Sequence, residues 1–145
     1  MYIPLHINIH GKKVLIVGLG KIGKRRAEKL LKYGADVAAI EQKKIQVKKI
    51  KLFKKKLKCN TIPSLRGYFL VVTSTNDQKL NEAIARRAKR DGCLINRADL
   101  FSDGDVVFSA VVETRAGIIS FTTLGKNPKL SKWTKEVLER ELPVC

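Results

Sequence analysis

Residues 13–26 read KVLIVGLGKIGKRR, and no other stretch narrows the possible folds as much. Lys13 to Val17 (KVLIV) is a short, β-branched apolar run closed by glycine, which suits a strand buried on both faces of a parallel sheet. From Gly23 to Tyr33, Ala27, Leu30 and Leu31 recur at helical spacing with charges on the other face, and Gly34 stops the helix. Between strand and helix stand Gly18, Gly20 and Gly23 in the pattern G-x-G-x-x-G. That pattern is weak alone and gains weight when it follows a strand and opens a helix. In that setting Gly18 permits the tight turn, Gly20 lets the backbone approach a dinucleotide's pyrophosphate, and Gly23 allows close helix packing. The backbone N–H groups around Lys21 and Ile22 then face the phosphates from a helix N-terminus.

The pattern continues along the chain. Val37 to Ile40 makes a second strand ending at Glu41, Ile50 to Phe53 a short third, and Tyr68 to Thr73 (YFLVVT) a buried fourth. Asn76 and Asp77 are candidate caps for a helix over residues 78–90, with Leu80, Ile84 and Ala88 on one face. Cys93 to Asn96 (CLIN) is the next strand, with Cys93 a small core residue. Alternation then gives way to two antiparallel strands, Val106 to Val112 and Ile118 to Thr122, around the turn segment ETRAG. A last helix over about 129–141 is expected to turn Leu130, Trp133, Val137 and Leu138 inward. The expected architecture is α/β: a Rossmann-like, doubly wound parallel sheet with an antiparallel hairpin extension and a C-terminal helix. Residues 1–104 would form the dinucleotide-binding domain, and 105–145 a hairpin-and-helix extension.

Composition bounds the function. The chain has 145 residues, and no apolar run approaches the ~20 needed to span a bilayer. The start MYIPLHINIH does not read as a signal peptide, so a cytoplasmic location is expected. Cys59, Cys93 and Cys145 lie far apart, and His6 with His10 makes two ligands without a third, so neither a disulfide framework nor a metal site is expected. Lys and Arg number 30 against 13 Asp and Glu, a net charge of +17. Such a balance suits nucleic acid, a polyanionic small substrate, or simply a lysine-rich surface. The densest run, from Lys43 and Lys44 to Lys58, has few aromatics to stack bases, which argues against nucleic-acid recognition.

Further residues carry candidate chemistry. Glu41 stands 23 residues after Gly18, near the ~20 expected of an acid that binds a ribose 2′-hydroxyl, which favours NAD. Lys43 and Lys44 beside it leave NADP open, and Glu41 also reads as an ordinary surface acid. Lys24, Arg25 and Arg26 crowd the first turn of a helix, where cations oppose the macrodipole unless an anion is held there; a solvated face is the alternative. Asp99 follows CLIN at the carboxyl edge of the sheet, where it suits a general base as well as a turn or cap. Gly125 and Lys126 in GKNP precede the last helix and suit either an anion site or a plain loop.

Taken in order, these segments resemble the precorrin-2 dehydrogenase family, the NAD-binding module of siroheme synthases. YIPLHINIHGKKVLIVGLGKIG is similar to the family's opening strand and glycine loop, and TSTNDQKLN (residues 73–81) to its Ala-Thr-x-Asp-x-x-x-Asn segment. LINRAD is similar to Val-Asn-x-x-Asp, and FSAVVETRAGIISFTTLGKNP to the family's hairpin and Thr-Gly-Gly-x-Ser-Pro loop. The family's loop and neighbours differ here at Leu19, Gly23, Ser109, Leu124 and Asn127. The resemblance implies NAD as cofactor and oxidation of precorrin-2, a polycarboxylate tetrapyrrole, to sirohydrochlorin. It implies Asp99 as the catalytic aspartate, Lys21 and Ile22 as pyrophosphate contacts, and Gln42, Lys43 and Thr75 as further cofactor contacts. Thr123 would line the substrate pocket, with Arg97 and Lys126 meeting substrate carboxylates. The resemblance also implies a homodimer, with residues 105–145 as an extension for dimerisation and the substrate cleft; ferrochelatase activity, which draws on a longer C-terminal region in the family, is not expected. The competing reading is a non-catalytic NAD-binding module that senses cofactor or docks on another tetrapyrrole enzyme.

Overall fold

A computed structural model describes residues 1–43, 45 and 47–144; Lys44, Gln46 and Cys145 lie outside the described residues. Five parallel strands form one sheet: β1 (Lys13–Val17), β2 (Asp36–Glu41), β3 (Lys51–Lys54), β4 (Leu70–Thr73) and β5 (Leu94–Arg97). Their spatial order is β3-β2-β1-β4-β5. β1 therefore pairs on one side with β2 and on the other with β4, and the strand order reverses between β1 and β4. The chain divides into two units, Met1–Asp105, which holds this sheet, and Val106–Cys145.

Helix α1 (Lys21–Lys32) buries Gly23, Ala27 and Leu30. It starts two residues before the expected Gly23, because the extended backbone of Gly20 is already its cap. Helix α2 (Gln78–Arg90) lays Leu80, Asn81, Ile84, Ala85 and Ala88 inward. One core cluster joins Leu15, Val17, Ala38, Ile40, Val71 and Ile95 of the sheet to Leu80, Ile84 and Ala88 of α2. Cys93 is buried in that cluster, as expected. Buried on both faces, β1, β2 and β4 have no polar positions to alternate, and so read as continuous apolar runs. β3 is an edge strand, and its exposed Lys51 and Lys54 help to keep that edge from pairing with another chain.

Register places the site. Val17 pairs with Ile40 and Thr73, and Thr73 with Arg97, so the strands finish on one line. Ladder bonds continue past them: Gly18 N–H to Ile40 O, Ser74 N–H to Val17 O and Ala98 N–H to Thr73 O. Gly18, Glu41, Ser74 and Asp99, far apart in sequence, thereby share the carboxyl edge of the sheet.

In the second unit, β6 (Ala110–Thr114) and β7 (Gly117–Phe121) form an antiparallel hairpin closed at Thr114 and Gly117. β6 begins later than the expected Val106. Helix α3 (Pro128–Glu141) follows, and Val144 returns to bridge Thr114. The inward face expected of α3 is corrected in part: Leu130 is 41% and Trp133 60% exposed, whereas Val137 and Leu138 are half-buried. A unit of this size has too little surface to cover the whole apolar stripe of its helix. The N-terminal segment also departs from expectation, since residues 1–9 carry no strand and leave Ile3, Leu5 and Ile7 exposed.

Candidate functional site

The glycine loop is built around Ser74. Its hydroxyl donates to Gly18 O at 2.7 Å, tying the loop to the end of β4. A Cβ on Gly18 (φ +92°) would meet the Ser74 backbone at 2.9 Å, and one on Gly23 would fall on Gly18 O. These two glycines are therefore needed for close approach within the protein. Gly20 differs, since a Cβ there would meet nothing within 4 Å and would project into the open space before α1. Among the described residues no side chain caps α1, and no acid lies in its first turn. By contrast, Asp77 caps α2 by accepting from Leu80 N–H at 3.0 Å, and Asn127 caps α3 by accepting from Leu130 N–H at 2.9 Å. A helix start left uncapped behind a glycine cradle fits a pyrophosphate, which would satisfy the N–H groups of the first turn. Lys21 and Ile22 are exposed at that start. Of the three cations that follow, Lys24 and Arg25 are exposed; burial and then the neighbouring Arg25 push the Arg26 guanidinium down to about 10.

Glu41 ends β2 beside this loop. Its Oε2 accepts from Leu19 N–H at 2.8 Å, and its Oε1 from Gln42 N–H at 2.8 Å and Lys43 N–H at 3.1 Å. Burial by itself would raise the carboxyl's pKa, but these three N–H donors outweigh it and hold the group below its ordinary value. The expected ribose acid is thus also a clamp on the glycine loop. Gln42 and Lys43 are exposed around it.

Next to the loop, a cavity of about 380 Å³ opens at the switch point between β1 and β4. Ile22, Ser74, Thr75, Gln78, Asn81 and Asp99 line it. Thr75 Oγ1 donates to Asn81 Oδ1 at 2.6 Å, and Asn81 Nδ2 returns a bond to Thr75 O at 3.0 Å. Asp99 faces this space with its side chain 21% exposed. Burial raises its proton affinity, but bonds from Arg97 and Asn81 prevail and hold the carboxyl below its ordinary value. It is a carboxylate at neutral pH.

Arg97, expected to meet substrate carboxylates, is placed otherwise. Its side chain is 3% exposed and engaged by Asp99 at 2.7 Å and Asp103 at 2.6 Å. Two internal carboxylates raise its pKa, the Asp99 bond most of all, and the buried guanidinium has no open face for an external anion. Thr123 and Lys126 belong to the second unit. Thr123 Oγ1 accepts from Asn127 N–H at 3.1 Å and lies 3.2 Å from Ser131 Oγ, which organises the turn before α3. Lys126 is exposed on that turn, whose Leu124 sits at φ 51°.

The structure adds residues the sequence left aside. Asn81 is fully buried, and a signal existed: with Ile84, Ala85 and Ala88 it shares one helical face, where a polar residue is out of place. Ser74 and Tyr2 had no comparable signal, because their partners come from distant parts of the chain, and Asp103 meets Arg97 only through the turn that follows β5. Among the described residues no cluster of His, Cys, Asp and Glu could hold a metal ion, and no helix is long and apolar enough to cross a membrane.

Comparison with known proteins agrees with this geometry. Residues 5–110 match the family described as "Putative NAD(P)-binding". A siroheme synthase of Blochmanniella floridana is 30% identical over 99% of this chain and 32% of its own length. A precorrin-2 dehydrogenase of Methanosarcina barkeri is 32% identical over 95% of this chain and 65% of its own. The solved structure of the precorrin-2 dehydrogenase SirC superposes with a TM-score of 0.74 at 28% identity, over 97% of this chain and 70% of that one. The chain thus spans about a third of the first of these curated relatives and just under two thirds of the second. With a fold, a glycine cradle and a family profile that coincide over most of its length, the chain belongs to this NAD(P)-binding family.

Proposed function

We propose that this chain is an NAD-dependent dehydrogenase of the cytoplasm that oxidises precorrin-2 to sirohydrochlorin. One observation carries the reading: the uncapped start of α1 and the Asp99 carboxylate open onto the same cleft at the sheet's switch point. Gly18, Gly20 and Gly23 with the N–H groups of Lys21 and Ile22 would hold the pyrophosphate, and Glu41, Gln42 and Lys43 the adenosine ribose. Thr75 would take part in binding the cofactor at the cleft. NAD, when bound, supplies a hydride acceptor. Oxidation removes a hydride and a proton from the macrocycle, and Asp99, already ionised, takes the proton. Thr123 and Lys126 would meet the substrate. The exposed Ile118, Leu130 and Trp133 of the second unit suit contact with a second copy, as a homodimer requires.

The test is anaerobic incubation with precorrin-2 and NAD, following the sirohydrochlorin spectrum. Asp99→Asn is expected to lower kcat by about 10²–10⁴-fold while NAD still binds. Native protein that binds NAD tightly and turns over nothing would overturn the enzymatic reading. Sedimentation of native and Trp133→Asp protein tests the dimer, which the variant should dissociate.

A further inference from the structure

Asp99, two residues beyond the end of β5, is held by more than the backbone that carries it. Arg97 closes β5, and its planar guanidinium meets both carboxylate oxygens: Nε donates to Oδ1 at 3.1 Å and Nη2 to Oδ2 at 2.7 Å. The remaining nitrogen, Nη1, donates to Asp103 Oδ2 at 2.6 Å. Asp103 in turn accepts from Lys89 Nζ at 2.9 Å through its other oxygen. The short 3-10 turn that carries Asp103, Phe101–Asp103, is pinned from the far end of the chain, since the Tyr2 hydroxyl lies 2.8 Å from Phe101 O and 2.7 Å from Gly104 O. Lys89, Asp103, Arg97 and Asp99 thus alternate in sign from the surface to the cleft wall.

We propose that Arg97 is the positioning residue of this site, its fork fixing the plane of the Asp99 carboxylate while Asp103 and Lys89 hold the fork. A two-point contact removes rotation about the Asp99 side chain that a single bond would leave, and a buried fork is not competed for by water. It also keeps the carboxylate ionised. The groups that face Asp99 are Arg97 at the end of β5 and Asn81 from α2; Asp103 and Lys89 act through Arg97. Loss of the guanidinium removes the principal cation beside Asp99 and leaves Asp103 as a nearby negative charge, so both changes raise the proton affinity of Asp99.

This inference rests on Asp99 being the proton acceptor, and two measurements separate the claims. Steady-state kinetics over pH is paired with carboxyl carbon NMR titration of Asp99 in the cofactor-free protein. Arg97→Met should lower kcat by about 10–100-fold with NAD affinity unchanged, as expected of a displaced catalytic group. The Asp99 titration and the acid limb of kcat/KM should move together to higher pH. Arg97→Lys, which keeps charge and loses the fork, should restore the titration more than kcat. Asp103→Asn, which frees one arm of the fork and removes a negative charge, should lower kcat by a smaller factor while the Asp99 titration moves slightly to lower pH, and it carries the test if Arg97→Met does not fold. Activity retained in Asp99→Asn would remove the premise. Inactive Asp99→Asn together with an unmoved titration and unchanged kcat in the Arg97 and Asp103 variants would overturn the positioning role alone.

Discussion

Replacing Glu41 by alanine separates its clamp on the glycine loop from a merely peripheral acid. Of the three N–H groups it accepts from, Leu19 matters most, because Leu19 is 1% exposed and its N–H would lose its partner out of reach of water. Stranding a buried donor costs about 1–3 kcal/mol. Gln42 and Lys43 are exposed and exchange the carboxylate for water, adding no more than a few tenths of a kcal/mol. The sum is about 2 kcal/mol, or roughly 4–8 °C in Tm for a chain of this size. Glu41→Gln should lose about half as much, since its amide keeps one acceptor and turns an N–H₂ toward a donor. The pH dependence has a definite sign. A carboxyl held below its ordinary value when folded contributes stability above its unfolded pKa of about 4.3, and that contribution is lost as pH falls through the lower folded value. Urea denaturation of native and Glu41→Ala protein across the acid range should show two curves that converge as the carboxylate protonates. Equal stability at neutral pH, or a gap that stays constant down through the carboxylate range, would refute the clamp. NAD affinity, measured by calorimetry on the same variant, should also fall.

Other residues give simpler tests. Asp77→Ala removes the cap of α2 and should cost about 1 kcal/mol in chemical denaturation, with the site's cavity intact. Thr73 is fully buried at the end of β4 and its hydroxyl has no hydrogen-bond partner among the described residues, so the near-isosteric Thr73→Val should gain about 1 kcal/mol. Leu124 holds a left-handed backbone that costs about 1–2 kcal/mol in a residue with a Cβ. Leu124→Gly should therefore match or exceed the native melting temperature, and Leu124→Val should fall below it; the reverse order would show that the turn is not strained.

Much of the fold was legible because its signals are local. Continuous apolar runs marked β1, β2 and β4, helical spacing marked α1 and α2, and the switch from alternation to a hairpin marked the second unit. The glycine spacing between β1 and α1 marked the tight turn and the helix start that the structure shows there, since both depend on neighbouring residues alone. Trp133 shows where such reasoning stops. A stripe of apolar residues on α3 says that the helix has an apolar face, whereas what covers that face depends on other parts of the molecule.

Sequence by itself determined that this chain would build a parallel sheet with a glycine turn opening a helix at one end, because periodicity and glycine spacing act over one or two turns of chain. It also marked Glu41 and Asp99 as acids at strand ends. Only the tertiary structure decided what those acids do. Thirteen acids and thirty cations allow many pairings, and the chain's path chose Arg97 for Asp99 and the Leu19 N–H for Glu41. Charge attracts without direction, so composition made Arg97 look like a cation for substrate. Burial beside two carboxylates makes it instead part of the frame that holds the site.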